Sequence, residues 1–380
     1  MFSRPARHGP FTIGMAAMLV LAGCGSAATP VPSTPSTAPT TQPSTAPSVA
    51  PSPSPTAPPE LSGTLRFFGY TDAFDPTLLG PFEKAHPNLK VETSAIASDT
   101  EAVAKLKGGF QADMVNTCVG PIDQEIANGS LQPIDTTKID AWNTIYPFFK
   151  DIKGVTVDGK VYMIPMVGGA YGLVYRPSVF TTPPTTWKDL LTTDKRITLP
   201  DDPLTAIITA GLGLGFYPPQ DMTADQLTQV KQALFTQKAH VVTYYQGAQL
   251  TDLWSGKEVD ITPTDITTVN LVADKGGDAA FAPMDPPLAW TCGYSIGAKA
   301  QNLDAVYALL NHYATPTIQG IQATTYSYLV SNQQTAASLA PDVLAKSGQA
   351  NVETYRNAAT FALPSDMDAW NSLWQEVKAH

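Results

Sequence analysis

The chain has 380 residues, of which only 15% are charged and 34 are proline, with 11 of the prolines falling between Pro30 and Pro59. Such unevenness divides it into unlike parts before any motif is read. Acidic residues outnumber basic ones 33 to 23, which argues against nucleic acid as a partner, because phosphates are held by Lys and Arg.

In chain order, residues 1–23 carry Arg4 and Arg7, an apolar run over residues 11–21 and the small residues Ala22 and Gly23, the pattern of a secretory signal peptide. The run is too short to stay in a bilayer as a helix, and no second stretch of about 18 apolar residues follows. It ends in Leu21-Ala22-Gly23-Cys24, which resembles the lipobox of bacterial lipoproteins. That likeness implies a lipid on Cys24 and an anchored protein outside the cytoplasm, in a periplasm or on the outer face of the membrane. An ordinary cleaved signal beside a chance cysteine is the other reading. Residues 24–60 are nearly all Ser, Thr, Pro and Ala with no charge before Glu60; such a segment buries too little apolar surface to offset its ordering entropy and reads as a tether. In polyproline II, at about 3.1 Å per residue, it reaches roughly 100 Å. Without Arg4 and Arg7 the chain keeps 21 basic against 33 acidic residues, a net charge of −12, which favours a cationic small substrate.

Beyond the tether, Gly63–Gly69 reads as a strand. Leu78, Leu79, Phe82 and Ala85 recur at helical spacing until Pro87, and residues 89–92 form a second strand. Asp99 is placed as the cap of a helix with Ala102, Val103 and Leu106 inward, and residues 112–117 as a further strand. Thr186 caps a turn over residues 187–191, and Thr223 with Gln226 forms a capping-box pattern. The Gly256-Lys257-Glu258-Val259 stretch reads as a strand, and Asn302 precedes a helix with Val306, Leu309, Leu310 and Tyr313 inward. Alternating strands and helices predict an α/β fold with ligands at the carboxyl ends of strands. With Cys24 set aside, Cys118 and Cys292 remain; outside the cytoplasm they can bridge, or they can stand as two buried thiols. The five scattered histidines and the lack of a CxxC or HExxH motif offer no metal site and no cofactor.

Several phrases stand in a telling order: Phe82-Glu83-Lys84-Ala85-His86-Pro87, Ala112-Asp113-Met114-Val115, Asp158-Gly159-Lys160-Val161-Tyr162-Met163-Ile164-Pro165, Thr186-Trp187-Lys188-Asp189-Leu190-Leu191, and Leu253-Trp254-Ser255-Gly256-Lys257-Glu258-Val259. Over residues 61–380 the chain resembles the extracytoplasmic solute-binding proteins of ABC importers, and among them most closely the spermidine/putrescine-binding proteins. The resemblance implies a two-lobed periplasmic-binding-protein fold with hinge crossings near Tyr171, Trp290 and Gln334. Residues 61–171 and 290–334 then form one lobe, and residues 172–289 and 335–380 the other. It further implies a monomer without catalytic activity or cofactor, which captures a small solute and hands it to ABC permease subunits. Cys118 and Cys292 fall in one lobe, close enough to bridge.

A polyamine site needs carboxylates for the ammonium groups and aromatic faces over the methylene chain. Tyr70-Thr71-Asp72 sits where the resembled family has Trp-Thr-Glu; Asp202 keeps a family Asp, whereas Thr205 stands for a Glu. Trp290 keeps a stacking tryptophan, and Cys292 replaces an acid. Asp265 falls near another family tryptophan, and Tyr326 near a family tyrosine. Against these roles stand turn-forming or capping roles for Asp72 and Asp202, and core packing for Tyr70 and Trp290. Three other motifs are set aside. Gly293-Tyr294-Ser295-Ile296-Gly297 fits the GxSxG elbow of an exported serine hydrolase using Ser295, but no helix follows it directly. Gly211-Leu212-Gly213-Leu214-Gly215-Phe216 lacks the spacing of a dinucleotide loop. Tyr244-Tyr245 resembles the paired tyrosines of ferric-ion binders, but precedes the stretch they should follow.

Overall fold

The computed structural model describes residues 60–380 except Ala248; the signal segment, Cys24 and the Pro-rich tether lie outside the described residues. Among the described residues thirteen strands form: β1 Gly63–Gly69, β2 Leu89–Ala95, β3 Met114–Cys118, β4 Leu131–Gln132, β5 Thr156–Val157, β6 Lys160–Val161, β7 Ile164–Tyr175, β8 Ile197–Pro200, β9 Val241–Tyr245, β10 Ile261–Asp265, β11 Ala280–Ala282, β12 Leu288–Gly297 and β13 Leu329–Val330. Eleven of them share one mixed sheet along the path β2-β1-β3-β12-β7-β10-β8-β9. Its two ends are parallel, β2 with β1 and β3, and β10 with β8 and β9. The middle is antiparallel, where β12 pairs with β3 and β7, and β7 pairs with β10. Parallel strands need helical crossovers that cover both faces, so each end carries its own helices.

Two strands serve both ends. At about 3.3 Å per residue a strand of twelve residues runs about 40 Å, and β7 is long enough to enter two cores. Ile164, Met166 and Val167 pack in a cluster with Leu65, Phe67, Tyr294 and Tyr313. Leu173 and Tyr175 pack in another with Trp187, Ile207, Trp370 and Trp374. Late in the chain, Ala336 and Val352 belong to the first cluster and Ala359 to the second.

Each half ties its strands with an arginine fork. Asp113, only 1% exposed, accepts from the backbone N, Nε and Nη2 of Arg66 at 2.8, 2.9 and 2.8 Å. Asp260 does the same for Arg196, with Nε at 2.9 Å and Nη2 at 2.6 Å. Desolvation opposes ionisation of both carboxyls, but the arginine hydrogen bonds win and hold both below the usual range.

The strands and helices expected from hydrophobic spacing are present with small boundary shifts: Pro76–Ala85, Trp187–Thr192, Ala224–Gln237 and Leu303–Ala314 are helices. Two expectations change, and one motif set aside stays so. Ser98, not Asp99, caps the helix Asp99–Lys107, its Oγ accepting from the Glu101 backbone at 3.2 Å. Residues 256–259 form a turn rather than a strand: the helix Gln249–Ser255 ends there, Lys257 takes φ 56°, and the strand starts at Ile261. Ser295 lies inside β12, paired with Val115 and 0% exposed, so no strand-to-helix elbow presents its hydroxyl.

Candidate functional site

Two cavities of about 310 and 730 Å³ lie side by side where the two ends of the sheet meet, and both are walled by Tyr70, Cys118 and Trp290. Tyr70 follows β1, Cys118 ends β3, and Trp290 sits on β12 opposite Gly169 of β7. A glycine is required there. A Cβ on residue 169 would come within 2.5 Å of the Trp290 indole nitrogen, so only a bare backbone lets the ring lie against the strand. A Cβ on residue 168 would likewise come within 2.7 Å of the Trp290 carbonyl oxygen. Tyr328 meets the Trp290 ring edge to face, centroids 5.1 Å apart. The indole N–H is buried with no hydrogen-bond partner among the described residues.

The smaller cavity holds Asp72 and Asp265. Asp72 accepts from the Tyr328 hydroxyl at 3.0 Å. Asp265 ends β10 and accepts from the backbone and hydroxyl of Thr267, which opens the next helix. Burial pushes the Asp265 carboxyl up, against the Thr267 hydrogen bonds.

The larger cavity holds Asp99, Asp201 and Asp202. Asp201 is already paired, its Oδ1 taking Lys378 at 2.7 Å and the Trp374 indole at 3.0 Å. Asp202 caps the helix Pro203–Gly213 through Oδ2, which accepts from the Thr205 backbone at 2.8 Å. Asp99 takes the Tyr70 hydroxyl at 2.9 Å and the Cys118 backbone N–H at 3.3 Å, both on Oδ1. Burial pushes the Asp99 carboxyl up although both of those hydrogen bonds pull it down. Beneath Asp99, Glu125 is 0% exposed, and its Oε2 accepts from the Thr117 hydroxyl at 3.2 Å. Burial, then the Asp99 charge, pushes Glu125 up to about 8.

Among the described residues, no Lys or Arg lines either cavity. The arrangement is therefore two acidic poles on either side of an aromatic wall, Asp72 with Asp265 and Asp99 with Asp202, none of these four ion-paired among the described residues, whereas Asp201 is already taken by Lys378. It suits a ligand with positive charge at both ends and an apolar middle.

Of the residues singled out from sequence, Tyr70, Asp72, Asp202, Thr205, Asp265, Trp290 and Cys292 line one cavity or the other. Thr71 is exposed on the turn Thr71–Phe74 and lines neither. Tyr326 stacks behind Tyr328, centroids 5.5 Å apart, and it is Tyr328 that faces the cavity. Cys292 and Cys118 lie directly opposite on β12 and β3, Cα atoms 3.8 Å apart, joined by a disulfide. Cys292 thus offers a ligand an apolar sulfur rather than a thiol. Asp99, Tyr171, Tyr245 and Tyr328 were not picked out from sequence. Asp99 carries a capping-type signal that masks any other role, and Tyr328 follows Tyr326 by two residues. From sequence, Tyr171 reads only as a hinge position, and Tyr245 only as half of a tyrosine pair that is set aside.

The family model described as bacterial extracellular solute-binding protein matches residues 77–351. Among solved structures, a provisionally assigned spermidine/putrescine ABC transporter protein of Listeria monocytogenes is similar, with 21% identity over 83% of this chain and 99% of that one, at a TM-score of 0.73. The spermidine/putrescine ABC transporter substrate-binding protein of Streptococcus pneumoniae shares 20% identity over 84% and 99% of the two chains, at 0.71. A binding protein of A. tumefaciens in complex with glucopine shares 18% over 83% and 100%, at 0.66. The architecture is the mixed α/β, two-lobed fold of these proteins.

Proposed function

Because the chain belongs to the bacterial extracellular solute-binding proteins, we propose that it is the substrate-binding component of an ABC importer, capturing a small polyamine-like dication in the cleft between two lobes. The observation that carries this reading is the pair of acidic cavities around Trp290 with no Lys or Arg in their walls among the described residues. Asp72 and Asp202 clamp the two ammonium groups, while Trp290 and Tyr70 cover the chain between them. Each ammonium must find a carboxylate, since a desolvated unpaired cation costs several kcal/mol. The protein works as a monomer, releases its solute unchanged to the permease, and is held at the outer membrane face by lipid on Cys24.

The lobe boundaries follow the two cores. The third crossing is better placed between Tyr355 and Ala359 than at Gln334, because Ala336 and Val352 pack with the first cluster and Ala359 with the second. Gly168 and Gly169 of β7, under Trp290, give the closing motion its pivot.

A second reading has a specific observation behind it: Thr205 and Cys292 stand where the resembled polyamine binders carry acids, and a similar fold holds glucopine. One thermal-shift screen decides between them. A ligand at 100 times its dissociation constant stabilises by about 2.7 kcal/mol. 1,4-Diaminobutane should raise the melting temperature, and amino acids and sugars should not. A shift given by a neutral or anionic solute and by no amine would replace the cationic reading. Cys24→Ser should move the protein from the membrane to the soluble fraction.

A further inference from the structure

We propose that Asp99 is the residue that makes this cleft select diamines over monoamines, by forming with Asp202 a second ammonium pole at the far side of Trp290 from Asp72 and Asp265. The inference rests on the cationic reading above and adds a residue to it. Asp99 belongs to the helix Asp99–Lys107, outside every segment that carries the resemblance to polyamine binders.

The geometry is that of a carboxylate held for use. Asp99 Oδ1 is fixed by two donors, the Tyr70 hydroxyl and the Cys118 N–H, and no hydrogen bond among the described residues engages Oδ2. Across the same cavity of about 730 Å³, Asp202 shows the complementary pattern: Oδ2 is spent on its helix, and Oδ1 has no partner among the described residues. The two carboxylates reach the cavity from opposite cores, since Tyr70 and Val119 pack with the first end of the sheet and Leu199 and Leu204 with the second. An ammonium between them takes one oxygen from each side, so the closed form needs both.

Structural acids of this fold look different. Asp113 and Asp260 each face an arginine fork, and Asp201 faces Lys378. Asp99 faces a tyrosine, a backbone amide and Asp202, and no Lys or Arg among the described residues is paired with it. The cavity wall also carries the aromatic rings of Tyr70, Tyr171, Tyr245 and Trp290, which are what a methylene chain leaving that pole would need. Trp290 lines both cavities and so separates the two poles.

The test is calorimetry on the full chain with two probes, 1,4-diaminobutane and 1-aminobutane. The parent should bind the diamine at least 30-fold more tightly. Asp99→Asn should weaken the diamine by tenfold or more and leave the monoamine within threefold, so the selectivity ratio collapses. Asp99→Glu, which keeps the charge, should restore most of the ratio. Tyr70→Phe retains the ring and the carboxylate but frees Oδ1, and should cost the diamine three- to tenfold; it serves if Asp99→Asn does not fold. An unchanged ratio in Asp99→Asn, or in Tyr70→Phe where that variant serves, overturns the assignment while the cationic reading stands. A parent that takes up neither amine overturns both.

Discussion

Replacing Glu125 by glutamine should remove a pH dependence from the stability of the fold. Glu125 is 0% exposed, receives one hydrogen bond from Thr117, and leaves Oε1 without a partner among the described residues. Burial is the first cause of its raised pKa, and the nearby Asp99 charge adds to it, taking the group from 4.5 to about 8. A carboxyl that holds its proton more tightly when folded stabilises the fold fully below the unfolded value near 4.5. That contribution is lost as the pH rises through about 8. At about 1.4 kcal/mol per pH unit the ceiling is about 5 kcal/mol, and relaxation around the charge brings the expected loss to about 2 to 4 kcal/mol. Glutamine has the shape of the neutral acid and nothing to ionise. Urea unfolding at pH 5 should therefore give parent and Glu125→Gln similar stabilities, and at pH 8.5 the variant should be the more stable by that margin. In an Asp99→Asn background the gap should narrow, because one of the two causes is gone. A parent and variant whose stabilities stay parallel from pH 5 to pH 9 would refute the burial argument.

Asp202→Asn should weaken 1,4-diaminobutane by 30-fold or more, about 2 kcal/mol, yet leave the melting temperature nearly unchanged, because Asn caps a helix as well as Asp; a large fall in melting temperature would show that capping is its main role. Trp290→Ala should weaken the same ligand with less salt dependence than Asp202→Asn, since stacking is poorly screened, which titrations at two ionic strengths would show. Gly169→Ala forces the indole away from β7 and should cost about 1 to 3 kcal/mol of stability, visible by calorimetry and as a changed near-ultraviolet spectrum. Replacing both Cys118 and Cys292 by alanine removes a link across 174 residues of chain and should cost about 2 to 5 kcal/mol in denaturant unfolding.

The parallel ends of the sheet were legible because their local signals agree: Gly63–Gly69 is a short run with Leu65, Phe67 and Phe68 between glycines, and Thr223 with Gln226 marks a helix start by two reciprocal hydrogen bonds. Residues 256–259 were misread because Val259 looks like the start of a strand, whereas Lys257 at positive φ, which sequence does not encode plainly, turns the chain. The cleft was half legible. Trp290, Asp72 and Asp202 stand in segments with a family likeness, so resemblance pointed to them. Asp99 was hidden by its own position: an Asp at a helix start has a local explanation, and only tertiary structure shows Ser98 doing the capping while Asp99 reaches Tyr70 and Cys118. Tyr328 was missed by two residues because helix ends drift, and the tyrosine two positions earlier lies at the last turn of Pro316–Tyr326.

An acidic cleft with no lysine or arginine in its walls among the described residues takes counter-charge from the medium. Sodium or potassium ions will gather near Asp72, Asp99, Asp202 and Asp265 whenever no amine is there, so capture becomes an exchange rather than an addition. A tethered pair of ammonium groups wins that exchange because one molecule displaces two ions, the second charge being delivered at high local concentration by the first. The same reasoning fixes the penalty: raising external salt makes every displaced ion harder to release, and affinity falls with it. On the proposed cationic reading, salt in the medium would thus weaken capture at the cleft itself.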